Sequence, residues 1–159
     1  MKNTVIVFTQ KPLDRMIKEG GSGYWSANKN RVESCKYFIA TRSKQFPSND
    51  PKGSAFLIAK ISGIFVRENK RLLIHFSEYA EINILGSWAG NRNPVAYTDI
   101  DLFCEKNELD ISKLEWKKFP FDKAKIEDKV KALTIQEAKE GIAKTLNIDS
   151  SCIEIKITT

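Results

Sequence analysis

Short runs of β-branched and aromatic residues, separated by turn-forming residues, dominate the first two thirds of the chain. Such runs predict buried strands. We expect strands within TVIVFT, RVESCKYFIATR, SAFLIAKISGIFVR, RLLIHFSEY and VAYTDIDLFCE. Gly63 predicts a bulge or bend in the third of them. The tripeptide ENK at residues 68–70 has the length of a hairpin loop that joins the third strand to the fourth.

Helices are expected near each end of the chain. KPLDRMIKEGG places Pro12 in a first helical turn and two glycines at the end of the helix. LTIQEAKEGIAKTLNI contains a capping box, because Thr134 and Glu137 can satisfy each other's free amides. We expect the apolar stripe of this helix to pack on the sheet. The stripe consists of Ile135, Ala138, Ile142 and Leu146. The final CIEIKITT alternates isoleucine with polar residues, which predicts a half-buried strand.

Two stretches interrupt this pattern, because aromatic side chains lie among glycine, serine and asparagine. They are GGSGYWSANKNR (20–31) and INILGSWAGNRNPVAY (82–97), and we expect them to be loops that meet at one mouth of the sheet. QFPSNDPKG (45–53) predicts an exposed loop. LDISKLEWKKFP predicts a short turn. Its apolar packing residues are Leu109, Ile111, Leu114 and Trp116.

Five or six strands with helices at both ends predict an α+β domain with a curved or barrel-like sheet. The strands are not regularly joined by helices, which argues against a doubly wound sheet. We assign residues 1–121 to this domain. Residues 122–159 form a C-terminal helix–strand extension, which we expect to pack on the same domain; a dimerisation element is the alternative.

Charge is unevenly distributed along the 159 residues, whose net charge is +6. Residues 1–98 contain 15 Lys/Arg against 7 Asp/Glu, and residues 99–159 contain 11 against 13. The basic part favours a polyanionic partner, since Lys and Arg attract phosphates; solubility alone is the other explanation. No apolar run approaches the roughly 20 residues that span a bilayer, and no signal-peptide pattern is present. We therefore expect a cytoplasmic protein without membrane contact. Cys35, Cys104 and Cys152 predict reduced core thiols.

Sequence motifs for nucleotide, zinc-protease and serine-hydrolase chemistry are absent, as the chain contains no GxxxxGK[ST], GxGxxG, HExxH or GxSxG. The single histidine, His75, excludes a zinc site with several histidines and favours a core or surface residue over a catalytic base. Asp99 and Asp101 would share one face of a strand, as solvated side chains or as paired carboxylates. We expect no metal, no cofactor and a binding module rather than an enzyme.

The two irregular stretches combine side chains suited to a base removed from its stack: aromatic faces, amides for the Watson–Crick edge and cations for the flanking phosphates. The candidate base-binding residues are Tyr24, Trp25, Ser26, Asn28, Trp88, Asn91 and Asn93. The candidate phosphate-binding residues are Lys29, Asn30, Arg31, Lys44 and Arg92. We expect Trp25 and Trp88 to face each other across a pocket, with Tyr24 turned partly toward the core, because neighbours in an extended segment point to opposite sides. The alternative is that both tryptophans are ordinary core residues.

Segments between residues 4 and 120 resemble EVE domains of the PUA-like superfamily, whose relatives include YTH and ASCH domains. The YW pair with Ser26 resembles the pocket segment of that family, and GSAFLIAKISGIF resembles its central strand. NPVAYTDIDLFCEKNELDISKLEWKKFP resembles the later part. FTQKP stands where the family usually has Ser-Glu-Pro, and residues from 133 onward lie outside its pattern.

The resemblance implies a PUA-like curved sheet or barrel and a non-catalytic module that binds a modified or flipped base in DNA or RNA. It also implies a nuclease or other effector protein as a possible partner. An alternative from the same superfamily is a small ASCH-like amidohydrolase acting on a modified pyrimidine. Lys29, Thr41 and Glu78 would be its candidate residues by type. A domain that serves only protein interaction is a third alternative.

Overall fold

The computed structural model describes residues 2–44, 51–127 and 133–158. They belong to two compact units, Met1–Ile126 and Glu127–Thr159. The first unit is α+β, with a curled mixed sheet that forms a half-barrel and carries flanking helices. This confirms the predicted class and the curved sheet. Residues 45–50 of the predicted exposed loop lie outside the described residues.

One sheet contains all the described strands, in the spatial order β2-β5-β4-β3-β1-β6, and the two-residue β7 pairs with β5. The strands are β1 (Thr4–Thr9), β2 (Ser22–Trp25), β3 (Tyr37–Arg42), β4 (Ala55–Val66), β5 (Leu72–Ile84), β6 (Val95–Thr98) and β7 (Lys117–Lys118). Neighbouring strands are antiparallel, except that β1 and β3 are parallel. β6 is therefore an edge strand, held by β1 alone.

The helices are short in the first unit and longer in the second. They are α1 (Leu13–Glu19), α2 (Lys29–Glu33), α3 (Ile100–Lys106), α4 (Ala124–Glu127) and α5 (Ile135–Leu146). Gly20 ends α1 in a left-handed conformation with φ 81°, as the sequence predicts, whereas Pro12 is the residue before the helix and does not lie in its first turn. Within the described ranges no helix has the length and apolar character needed to cross a membrane.

Hydrophobic side chains cover both faces of the sheet. The Trp25 cluster contains Trp25, Val5, Val7 and Phe38 among others. The Trp88 cluster contains Ile6, Ile39 and Phe103, with Trp88 packed against it. Since successive residues of a strand point to opposite faces, the alternation along β1 assigns the two clusters to opposite sides of the sheet. Burial on both sides explains why the strand sequences are continuous apolar runs.

The hairpin of β4 and β5 is the longest element of the sheet, with strands of 12 and 13 residues. Its loop closes with a hydrogen bond from Arg67 N to Arg71 O at 2.7 Å, and Asn69 adopts a left-handed conformation. The register shifts between Ile61 and Gly63. Both the hairpin loop and the irregularity at Gly63 are confirmed.

The predicted strand VAYTDIDLFCE is wrong beyond Thr98. Asp99 instead caps α3, because its Oδ1 accepts a hydrogen bond from Asp101 N at 3.0 Å. A carboxylate in that position satisfies one of the free amides at a helix start and ends the strand. Asp99 and Asp101 therefore do not share a strand face.

The second unit contains the predicted capping box of α5. Thr134 Oγ1 accepts from Glu137 N at 3.2 Å, and Thr134 N donates to a Glu137 carboxylate oxygen at 2.8 Å. The predicted C-terminal strand is wrong for residues 153–158, which follow a 3₁₀ turn at Ser150–Cys152 and pair with no strand in the described part of this unit. Packing of the apolar stripe of α5 on the sheet stays a prediction.

The cysteines differ in environment. Cys35 is buried and Cys104 is half-buried, and burial raises the pKa of both thiols. Cys152 is exposed, so the prediction of a core thiol is wrong there. All three are free, and no group of three or more potential metal-ligating side chains occurs within the described ranges.

His75 is a core residue that joins β5 to the end of α1. Its ring is 3% exposed, and Nδ1 lies 2.7 Å from Gly20 O. Burial lowers the pKa of His75, and the Gly20 carbonyl opposes this only in part. Of the nearby charged side chains, Lys123 lowers the pKa further and Asp122 raises it. The neutral ring is therefore the form that the fold favours.

We expect the free energy of unfolding to decrease as the pH falls below about 6.5, the usual histidine pKa. In that range the unfolded chain binds a proton at His75 that the folded chain excludes. The free energy of unfolding should therefore change by at most about 1.4 kcal/mol per pH unit. Urea unfolding between about pH 5.5 and 7.5, above the range of most carboxylates, measures it. His75→Asn keeps a donor for Gly20 without titrating, so its profile should be flatter; equal slopes would contradict the assignment.

Gly21 occupies a site that no side chain fits. Its φ is +146°, and a Cβ atom there would lie 2.1 Å from Ile74 O on β5. We expect Gly21→Ala to lower the free energy of unfolding by more than about 2 kcal/mol, since both strain and a backbone clash result. Gly86→Ala is the control, because Gly86 also has a positive φ but no atom within 4 Å of its Cβ position. Urea unfolding should show a clearly smaller loss for the control; equal losses would mean that conformational strain alone acts at Gly21.

Candidate functional site

A cleft opens between the start of α2 and the edge strand β6. Its cavity volume is about 370 Å³, and its walls come from Ser26, Ala27, Asn28, Arg31, Asn93, Val95 and Tyr97. The first four residues belong to the first irregular stretch of the sequence and the last three to the second. The two stretches therefore meet, as the sequence predicts. Of the twelve predicted site residues, the structure brings Ser26, Asn28, Asn93 and Arg31 together here.

The first stretch is not a plain loop, because it contains β2 and α2. Asn28 starts α2: its Oδ1 accepts a hydrogen bond from Arg31 N at 3.0 Å. Capping by asparagine satisfies a free amide of the first turn. This short cap places Asn28 and Arg31 on the wall of the cleft.

The opposite wall depends on the pairing of β6 with β1. Val5 is opposite Tyr97 and Val7 is opposite Val95 in this antiparallel ladder. Ahead of the strand, Asn93 Oδ1 accepts from Val95 N at 3.0 Å, which fixes the side chain of Asn93 at the entrance to β6.

Two amide groups in the cleft have donors to offer. The oxygens of Asn28 and Asn93 each accept from a backbone N–H, and a backbone N–H can donate only to the oxygen of an amide side chain. The Nδ2 groups of Asn28 and Asn93 have no hydrogen-bond partner within residues 2–44, 51–127 and 133–158. Each amide oxygen thus keeps one lone pair, whereas both Nδ2 groups are wholly available, so donors predominate in the cleft.

Arg31 and Tyr97 form a stacked pair at the same cleft. The guanidinium carbon of Arg31 lies 3.9 Å from the centroid of the Tyr97 ring. Burial raises the pKa of Tyr97, and the Arg31 charge opposes that rise only in part. The phenol is therefore neutral at physiological pH. Tyr97 is not among the predicted site residues, because VAYT predicts a strand; the signal that could have identified it is its proximity to Asn93 in the sequence.

Tyr24 and Trp25 point to opposite sides of β2, as alternation predicts, but their environments are the reverse of those expected. Trp25 is 9% exposed, belongs to the Trp25 cluster and donates from Nε1 to Ser22 Oγ at 3.0 Å. Tyr24 is 45% exposed, and Lys11 Nζ lies 4.9 Å from its ring centroid. Neither ring lines the cleft.

Trp88 lies on the other side of the sheet from Trp25, so the two rings are not opposing walls of one pocket. It stacks on Phe8, with centroids 5.1 Å apart and planes at 10°. Trp88 and Asn91 border a second cavity of about 250 Å³. Tyr97 borders this cavity and the cleft, so the two openings adjoin along β6.

Apart from Arg31, the predicted phosphate-binding residues are exposed but do not line the cleft. Lys29 and Asn30 lie on α2 beside Arg31, and Lys29 Nζ is 3.3 Å from a Glu33 carboxylate oxygen. Lys44 and Arg92 are also exposed. Lys29 and Arg92 are each next to a cleft residue in the sequence, Asn28 and Asn93 respectively.

The candidate residues of a hydrolase are not brought together. Thr41 is fully buried, and its hydroxyl donates to Val7 O at 2.7 Å. Glu78 is paired with Lys60 at 2.6 Å. Thr41 is opposite Ala55 and Glu78 is opposite Lys60 on β4, and five residues of strand extend about 17 Å. Thr41 and Glu78 therefore cannot act on one reacting group.

Comparison with known proteins gives no further assignment, because no family model, curated protein or solved structure matches the chain. The similarity to EVE domains rests on the sequence segments alone.

Burial of Trp25 changes what its substitution should do. We expect Trp25→Ala to lower the free energy of unfolding by about 3–5 kcal/mol, the usual loss for an aromatic residue removed from a core. Tyr24→Ala is the matched control on the same strand and should change stability far less, since its ring is nearly half exposed. Urea unfolding followed by circular dichroism measures both. A stable Trp25→Ala protein would contradict the core role.

Proposed function

We propose that the protein is a non-catalytic nucleic-acid-binding module, and that the cleft beside Tyr97 receives an unpaired, flipped or modified base. The observation that carries the proposal is the convergence of two amide donors, a guanidinium and an aromatic ring at one opening. Bases outside a stack are held by flat aromatic or guanidinium surfaces and by hydrogen bonds to their edges.

The size of the cleft supports a guest of this kind. Its volume of about 370 Å³ lies within the range of about 300–1,000 Å³ that small-molecule sites occupy. A base that enters it meets the flat stack of Arg31 on Tyr97. The excess of positive charge in residues 1–98 supports a phosphate backbone as the neighbouring partner.

The hydrogen-bonding character of the cleft selects among bases. Asn28 and Asn93 offer N–H groups because their oxygens are engaged with the backbone, and Arg31 has donors only. A base that presents carbonyl oxygens or ring nitrogens to these groups fits better than one that presents an exocyclic amine. We therefore expect an oxygen-rich edge on the recognised base.

The proposal includes a PUA-like fold of the EVE type. A curled mixed sheet with flanking helices supports it, together with the sequence resemblance. The resemblance also adds an effector protein, such as a nuclease, as a partner that would act on the bound nucleic acid. The protein itself would contribute recognition only.

The test uses substitutions that leave the backbone contacts in place. Asn28→Asp and Asn93→Asp keep the oxygen that accepts from the backbone and remove the N–H donor. We expect each to weaken binding to its best oligonucleotide by at least about fivefold, since an acceptor on the base is left unpaired. Asn30→Asp introduces the same charge on α2 outside the cleft and controls for repulsion of phosphates.

Fluorescence anisotropy with DNA and RNA oligonucleotides that carry unmodified, methylated, formylated or oxidised bases gives the affinities. Mass spectrometry of the recovered nucleosides tests for chemical change. If Asn30→Asp weakens binding as much as the two cleft variants, the cleft is not the recognition site. If a modified pyrimidine is recovered in hydrolysed form, the non-catalytic assignment fails and the amidohydrolase alternative gains support.

A further inference from the structure

A third, larger cavity lies between the β4–β5 hairpin and the segment that follows β7. Its volume is about 760 Å³, and it shares no residue with the cleft beside Tyr97. Its lining includes His75 and Phe76 on β5 and Phe119 and Phe121 after β7. It is the largest of the three cavities described here, and the proposed function makes no use of it.

Hydrogen bonding determines the tautomer of His75. Nδ1 lies 2.7 Å from Gly20 O, and a carbonyl oxygen can only accept, so Nδ1 carries the proton. In the neutral ring Nε2 is then a bare acceptor. The fold thus fixes which nitrogen can receive a hydrogen bond.

Nε2 faces the cavity without a partner. Ser43 Oγ is the only fully buried side-chain polar atom that lacks a hydrogen bond within the described ranges, and Nε2 of His75 has no partner there either. Nε2 must therefore keep some contact with solvent, although the residue is only 3% exposed. Since His75 lines the cavity, this contact runs through it. Buried polar groups in proteins are almost always paired, so a guest that displaces this solvent must donate a hydrogen bond to Nε2 in its place.

Aromatic rings determine the shape of a group that could reach Nε2. The His75 ring meets Phe119 at 5.6 Å and 77°, and Phe121 at 6.4 Å and 65°. Phe65 makes a third edge contact at 6.4 Å. These rings surround the histidine with flat apolar surface, which favours a flat apolar body on the incoming group.

The rim of the cavity is positively charged. Lys118 and Lys123 are exposed there with a single carboxylate, Asp122. Lys123 Nζ lies 5.9 Å from the Phe65 ring centroid, so its stem runs along the aromatic wall. An anionic group on the guest would lie near these ammonium groups.

We propose that this cavity binds a small planar heteroaromatic anion, whose ring N–H donates to Nε2 of His75 and whose carboxylate or phosphate lies near Lys118 and Lys123. This site is independent of base recognition at the cleft. It requires a guest with a donor, because a guest without one leaves Nε2 unpaired.

The test compares two probes that differ in one atom. Indole-3-carboxylate has a ring N–H, and 1-benzofuran-3-carboxylate has an oxygen in its place. The chain contains one histidine, so a long-range ¹H–¹⁵N spectrum reports His75 alone. In the free protein we expect a protonated Nδ1 and a bare Nε2. Indole-3-carboxylate should shift the Nε2 resonance and bind about 3–10-fold more tightly than the benzofuran, as one neutral hydrogen bond allows.

His75→Asn removes the Nε2 acceptor and keeps a donor for Gly20, so the two probes should bind it equally. Lys123→Gln should weaken the binding of both probes, while the ratio of their two affinities is retained. If His75→Asn does not fold, the proposal is tested by the spectrum of the unmodified protein and by the ratio of its affinities for the two probes. Absence of binding by indole-3-carboxylate at millimolar concentration, equal affinity for both probes, or a protonated Nε2 in the free protein would each overturn the proposal.

Discussion

The parallel pairing of β1 with β3 is the constraint on which the rest of the first unit depends. Two parallel neighbours cannot be joined by a hairpin, so the chain must cross over one face of the sheet between them. Here the crossover contains α1, β2 and α2, and β2 pairs with β5 at the far edge. The crossover thus reaches the edge opposite β6 and returns. A sheet that curls brings both of its ends within reach of this segment.

The path of that crossover explains why one stretch of the chain combines glycines with two aromatic residues. Gly21 passes so close to Ile74 O that only glycine fits, and Trp25 then anchors the segment in the core. Gly21 and Trp25 are only four residues apart because the chain must approach β5 closely and then fill the space behind it. After this anchor, α2 returns toward β3 and presents Asn28 to the cleft.

Residue patterns predicted the parts of the fold that are determined locally. The β-branched runs gave β1, β3, β4 and β5, because their burial on both faces requires continuous apolar sequence. The capping box at Thr134 predicted the start of α5 correctly, because both hydrogen bonds form within one turn. The hairpin loop at 68–70 was predictable for the same reason.

The elements that sequence analysis missed are those stabilised by distant contacts. β2 has four residues and α2 has five, too few for a periodic pattern, and both exist because β5 and the sheet face hold them. The sequence did not predict α3, because Asp99 is compatible with both an edge strand and a helix cap. In the candidate site, asparagine and arginine were identified from composition. Tyr97 was not, since only the register of β6 on β1 shows that its ring turns toward Arg31.

If the cleft receives a base, as we propose, that base competes with Arg31 for the Tyr97 ring. A cation on an exposed aromatic ring contributes about 0.5–1 kcal/mol, whereas a stacked base contributes about 1–3 kcal/mol. A base that takes the place of Arg31 on the ring gains only the difference, which is close to zero for a weak stacker. Under the proposed function, the hydrogen bonds to the two asparagines would then decide how long a base stays in the cleft. Under the proposed function, a base without a matching edge would gain too little from stacking to displace Arg31, and it would be released.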